Sequence, residues 1–159
     1  MLDLNWFEDV VRRAHIFTES TQEDAEQLHP FETRDVHPDL PKKVRALYDD
    51  GYYAEATFEA FKYVEKEVKR ISKIQGLTGN KLMMAAFNEQ NPIVALNSMA
   101  TDSDKDEQFG YRFIFAGAQS AIRNPRGHET DLTDSPDLCL DHLSIASVLL
   151  RKLDEVGAR

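Results

Sequence analysis

At 159 residues and 42% hydrophobic composition, the chain is long enough for one domain with a real core and too short for two. Its formal net charge of -9 argues against a protein that coats nucleic acid through a broad basic surface, because affinity for phosphate chains comes mainly from neutralising them. The single cysteine, Cys139, cannot close an intrachain disulfide, Met1-Leu2-Asp3 opens no secretory leader, and no apolar run approaches the roughly 20 residues of a membrane-spanning helix, so a soluble cytoplasmic protein is expected.

Phe7, Val10, Val11, Ala14 and Phe17 recur at helical spacing and predict a short amphipathic helix over Asn5 to Phe17. The polar, acidic stretch from Thr18 to Pro30 reads as a linker, with room for a helical turn. Residues 1–33 therefore form an N-terminal extension and residues 34–159 the main helical domain. A second helix is expected after Pro38, with Asp39 as N-cap and Pro41 in its first turn, ending near Gly51. The longest amphipathic repeat, Phe61, Val64, Val68 and Ile71, predicts a helix over about Tyr53 to Ile74. Gly76 and Gly79 separate it from a short helix, Lys81 to Phe87, and Asn88 to Asp106 reads as a long loop.

From Gln108 to Ile122 the chain is nearly free of charge and rich in Phe113, Ile114, Phe115 and alanine, which predicts a central helix buried on most sides. The last helix is the most clearly punctuated, with Ser135 as N-cap, Pro136 at the first helical position and Gly157 past the final turn. Nothing alternates with period two over a useful length, so the domain is expected to be all-α, a bundle of four or five helices.

Several motif fragments lead nowhere. Thr101 to Asp106 resembles the start of a calcium loop but lacks its glycine, and Phe113 stands where the bidentate glutamate belongs. His128-Glu129 opens like a zinc-protease helix, but Leu132 occupies the second histidine position. Cys139 and His142 stand one helical turn apart without a third ligand or an orienting acid, and Gly76 to Lys81 lacks the P-loop spacing. No metal and no cofactor is expected.

The informative string is Arg123-Asn124-Pro125-Arg126-Gly127-His128. Between Glu107 and Glu129 there is no acidic residue, while Arg112, Arg123, Arg126 and His128 all fall in that interval, which predicts one locally positive stretch on an acidic protein. RNA is cut without metal when its 2′-hydroxyl attacks the adjacent phosphorus. That step needs a base, an acid for the leaving 5′-oxygen, and donors for the charged transition state. Histidine suits the proton transfers and arginine the charge. One histidine hardly serves as both acid and base in one step, which points to a second copy from another subunit. On an ideal helix, residues five apart lie about 140° apart. Pro125 is expected to end or kink the helix, pushing Asn124 out of helical geometry and letting Arg123 and His128 converge, with Gly127 allowing a further turn.

Taken with Asp50 to Ala56, Glu59 to Lys62, Phe115 to Ala118, Ala121 to Glu129 and Leu149 to Glu155, this motif resembles the HEPN superfamily of all-helical domains, whose ribonucleases carry an R-N-x-x-x-H type motif. More narrowly, the chain is similar to the prokaryotic Ymh family over about Val36 to Val156. The resemblance implies a dimeric, metal-independent endoribonuclease, acting as a toxin or in antiphage defence, with two motifs meeting across the dimer and an antitoxin or defence-system protein as partner. Arg123 then stabilises phosphate charge, His128 is the acid/base, and Asn124 is the accompanying polar residue. Arg126 is a candidate RNA contact to which the family pattern gives no role, and Glu55, Glu59 and Lys62 are candidates to line the cleft. The alternative implied is a non-catalytic HEPN module that binds RNA or nucleotide or serves dimerisation within a larger defence system.

Overall fold

The computed structural model describes residues 28–129 and 131–158, so the expected helix over Asn5 to Phe17 lies outside the described residues. The chain divides into two units at Thr33 and Arg34. Of the first, one helical turn is described, α1 (Pro30–Thr33).

The second unit is an all-α bundle, with no strand among the described residues. Its helices are α2 (Lys42–Asp49), α3 (Tyr53–Ser72), α4 (Gly79–Ala86), α5 (Asp102–Gly117), a π-helical segment (Ala118–Arg123), α6 (Asn124–His128) and α7 (Pro136–Glu155). The hub is α3, which packs against α2, α4, α6, α7 and the π segment. Its Ala56, Ala60, Val64 and Val68, at steps of four, and Phe61 beside them are wholly buried, and α7, packed on this helix, buries Leu143, Ala146, Leu150 and Leu153. The ends of α7 are as expected. Ser135 Oγ accepts the Leu138 amide at 3.2 Å, Pro136 opens the first turn, and Gly157 takes φ +63°.

Three expectations are corrected. Asp39 does not cap α2: its own amide donates to His37 Nδ1, and Pro41, at φ -54° and ψ 139°, is the N-cap residue. The acidic run beyond Thr101 is not loop but the first turn of α5. Thr101 and Asp104 form a reciprocal capping box there, and the carboxylates face the positive end of the helix dipole. Finally, α5 is neither central nor buried on most sides. It buries Gln108, Phe115 and Ala116 and leaves Phe109, Phe113 and Ile114 about half exposed at 47%, 48% and 49%, because α4 and the π segment cover only part of its circumference.

Inside this face, Phe115 stacks on Phe87 with centroids 4.3 Å apart. Gln108 accepts the Leu96 amide and donates to the carbonyls of Phe87 and Val94, so one buried amide pins the loop between α4 and α5. Among the described residues, no helix is long and apolar enough to cross a membrane.

Candidate phosphate-binding site

The chain passes from α5 into α6 without leaving helical geometry, so the helix does not end at Pro125 and Asn124 is not pushed out of it. Asn124 keeps φ -63° and ψ -45°, and its amide donates to Gln119 O, five residues back. Proline in a helix removes a donor and crowds the carbonyl four residues earlier, and a π turn placed immediately before it widens the helix where that crowding falls. The turn is anchored by Gln119, which is fully buried and donates from Nε2 to Phe61 O of α3 at 3.2 Å. Because α6 continues the helix, Arg123 and His128 of one chain stay about 140° apart around its axis.

Arg123 faces α3. Its guanidinium carbon lies 5.0 Å from the centroid of the Phe58 ring, Nη1 donates to Asn124 Oδ1 at 3.1 Å, and Nη2 approaches Glu65 Oε2 at 4.0 Å. Gly127, one turn on, is the reason Phe58 sits so close. A Cβ there would stand 2.7 Å from Phe58 Cε2. Asn124 therefore orients Arg123, while His128 is exposed at the end of α6 and makes no hydrogen bond or ion pair among the described residues.

Arg126 points elsewhere. It holds Asp134 through a bidentate pair, Nε to Oδ2 at 2.6 Å and Nη2 to Oδ1 at 2.7 Å, and donates from Nη1 to Ile122 O at 2.8 Å. With side chains only 7% and 2% exposed, this is an internal strut between α6 and the segment leading to α7. Arg112 is likewise spent, on Glu89 at 2.5 Å and on Met84 O. The acid-free stretch of sequence is thus not a positive surface. Acids from outside it neutralise two of its arginines.

Positive charge reaches the site from α3 instead. An open cleft of about 480 Å³ runs between α3 and Arg123, lined by Lys62, Lys66 and Lys69 and by the carboxylates Glu59 and Glu65. Burial alone would raise the Glu59 carboxyl, but hydrogen bonds from Lys43 and Lys62 at 3.1 and 3.2 Å outweigh it and hold Glu59 below its ordinary pKa. Glu65 Oε1 accepts the Gly79 amide at 3.1 Å, whereas Glu65 Oε2 and Arg123 Nε are buried without hydrogen-bond partners. Of the α3 residues expected at a cleft, Glu59 and Lys62 line this one, and Glu55 lines a separate depression with Tyr52 and Asp134. Phe58, Glu65, Lys66 and Lys69 were not anticipated. The only sequence signal for the lysines is their spacing on one helical face.

The neighbouring buried cluster corrects one further reading: an acid does face His142, Asp134 Oδ2 at 4.0 Å from its Nδ1. Burial, together with the Arg126 charge, nevertheless lowers the His142 pKa against the pull of Asp134. Burial also pushes the Cys139 thiol up to about 11, so this pair has no thiolate to offer as a nucleophile near neutral pH.

A family model described as "Protein of unknown function (Hypoth_ymh)" matches residues 34–153, most of the chain. The chain belongs to the Hypoth_Ymh family. The matched span takes in the Ymh-family bundle from α2 to the last turn of α7 and with it every residue of the cleft. No curated protein and no solved structure matches the chain.

Proposed function

We propose that this Hypoth_Ymh protein is a HEPN-type endoribonuclease of the cytoplasm that cuts RNA without metal. The observation that carries the reading is the disposition of Arg123: an oriented guanidinium with a buried, unpartnered Nε, at the end of a cleft where four cations meet two carboxylates. Such a group suits a phosphodiester in its pentacovalent transition state. The 2′-oxygen forms its bond to phosphorus as the bond to the 5′-oxygen breaks, one proton leaves the 2′-hydroxyl for a base, and one is delivered to the departing oxygen. The products are a 2′,3′-cyclic phosphate and a 5′-hydroxyl.

His128 is the proton carrier, and an angle of about 140° from Arg123 on an ideal helix supports its acting in the site of a second copy. Half-exposed Phe109, Phe113 and Ile114 support self-association of this kind. A toxin or antiphage role, held in check by an antitoxin or defence-system protein, fits an activity that destroys RNA. The same angle favours a second reading, a module that binds RNA or nucleotide without cutting it.

Incubation with RNA in EDTA tests the first reading, using R123A, H128A and an equal mixture of the two. Each variant alone is expected to be inactive. If Arg123 and His128 meet across a twofold axis, random exchange of subunits restores about a quarter of wild-type cleavage, because half the dimers then carry one intact site of two. A wild-type protein that binds RNA but leaves it whole at every pH sinks cleavage and leaves the binding reading standing.

A further inference from the structure

We infer that the cleft beside Arg123 is a track for several consecutive phosphates of one RNA strand, with Lys62, Lys66 and Lys69 holding the phosphates that flank the one at Arg123. The inference rests on the proposed action on RNA and adds the residues that grip the strand away from the point of cleavage. Lys62, Lys66 and Lys69 stand at i, i+4 and i+7 on α3, one face of the helix, and span about 10 Å along its axis. That length suits a chain of phosphates and is more than a single phosphate needs.

The ion pairing of the lysines points the same way. Lys43, Lys105 and Lys152 each hold a carboxylate, whereas Lys66 and Lys69 enter no ion pair among the described residues. Keeping two free cations side by side next to Arg123 has a repulsive cost that a polyanion would relieve. Glu59, which also lines the cleft, is occupied by Lys43 and Lys62. At the Arg123 end, Arg123 Nε is a buried donor without an acceptor, while Glu65 Oε2, also buried without a hydrogen-bond partner, is 4.0 Å from Nη2. Partly buried Tyr63 also lines the cleft, an aromatic of the kind on which bases stack in single-strand grooves.

The test is fluorescence anisotropy with a 2′-O-methyl oligoribonucleotide of about 12 nucleotides, which has no free 2′-hydroxyl and reports binding apart from cleavage. For K66A/K69A the expected result is a loss of ~10-fold or more in affinity and a salt dependence shallower by about two phosphate contacts. K105A, on the far helix, leaves both unchanged, and inorganic phosphate competes far less well than a trinucleotide. A double variant with wild-type affinity and salt slope overturns the track, as does a wild-type protein that binds no oligonucleotide, or competition by inorganic phosphate equal to that of the trinucleotide. Lysine-dependent binding by a protein that never cuts retains the track and removes the nuclease. Cleavage whose KM is unmoved in K66A/K69A does the reverse.

Discussion

The guanidinium of Arg123 sits over Phe58, its central carbon 5.0 Å from the ring centroid, and the same ring fills the space that Gly127 leaves empty. Phe58 is therefore a platform under the Arg123 guanidinium, the group proposed to meet phosphate. Cation–π contacts of this kind contribute about 0.5–2 kcal/mol depending on exposure. F58A is expected to keep the fold and weaken RNA binding several-fold, measured by anisotropy.

Gly127 gives a sharper version of the same test. Alanine gains about 1 kcal/mol over glycine in a helix, but here its Cβ would stand 2.7 Å from the Phe58 ring. Overpacking of this kind costs about 1–3 kcal/mol. We expect G127A to destabilise the wild type and to stabilise F58A, a reversal of sign read from urea unfolding of the four proteins in the cycle. Equal effects in both backgrounds would show that the ring does not constrain position 127.

Loss of Arg126 acts on the fold and not on RNA contact. R126A leaves the Asp134 carboxylate, 2% exposed, without its partner. Removing one member of a buried pair costs about 3–5 kcal/mol, so a large drop in the urea midpoint is expected. R126M/D134L, which removes both charges, recovers most of it. A double variant as unstable as R126A would contradict this.

Stability also depends on pH through His142. Burial, reinforced by the Arg126 charge, lowers its pKa below the ordinary 6.5, so the unfolded chain takes up its proton more readily than the folded one. The stabilisation is complete above pH 6.5 and is lost as pH falls from there through the folded pKa. H142Q is expected to flatten this part of the profile of unfolding free energy against pH. An unchanged profile would assign the slope to other groups.

The Thr101 and Asp104 capping box is expected to behave as one unit. Asp104 accepts from Ser98 Oγ and from the Thr101 and Ala100 amides, which hold its carboxyl down to about 2. T101A and D104A should each lower the thermal unfolding midpoint, and the double variant by less than their sum. Additive losses in thermal unfolding would mean that the two bonds form independently.

What the sequence determined by itself is local: the longest apolar repeat, the best-punctuated helix, and which residue types sit close along the chain. Ser135, Pro136 and Gly157 mark α7 because capping is a matter of a few neighbouring backbone groups, and the apolar spacing of Phe61, Val64 and Val68 places α3 because burial follows helical period. The R-N-x-x-x-H string was legible in the same way, as was the Hypoth_Ymh family of the chain. Tertiary structure decided which of these charges are free. Arg112 and Arg126 read as part of a positive stretch, yet Glu89 and Asp134, distant in sequence or beyond the acid-free window, neutralise them. The cations that face Arg123 come from a helix more than fifty residues upstream. Charge pairing acts through a few ångströms of space and ignores chain order, so no pattern along the sequence reveals it. Pro125 misled for the same reason: the π turn that absorbs it is held by Gln119 on the Phe61 carbonyl, a bond between helices that only packing creates.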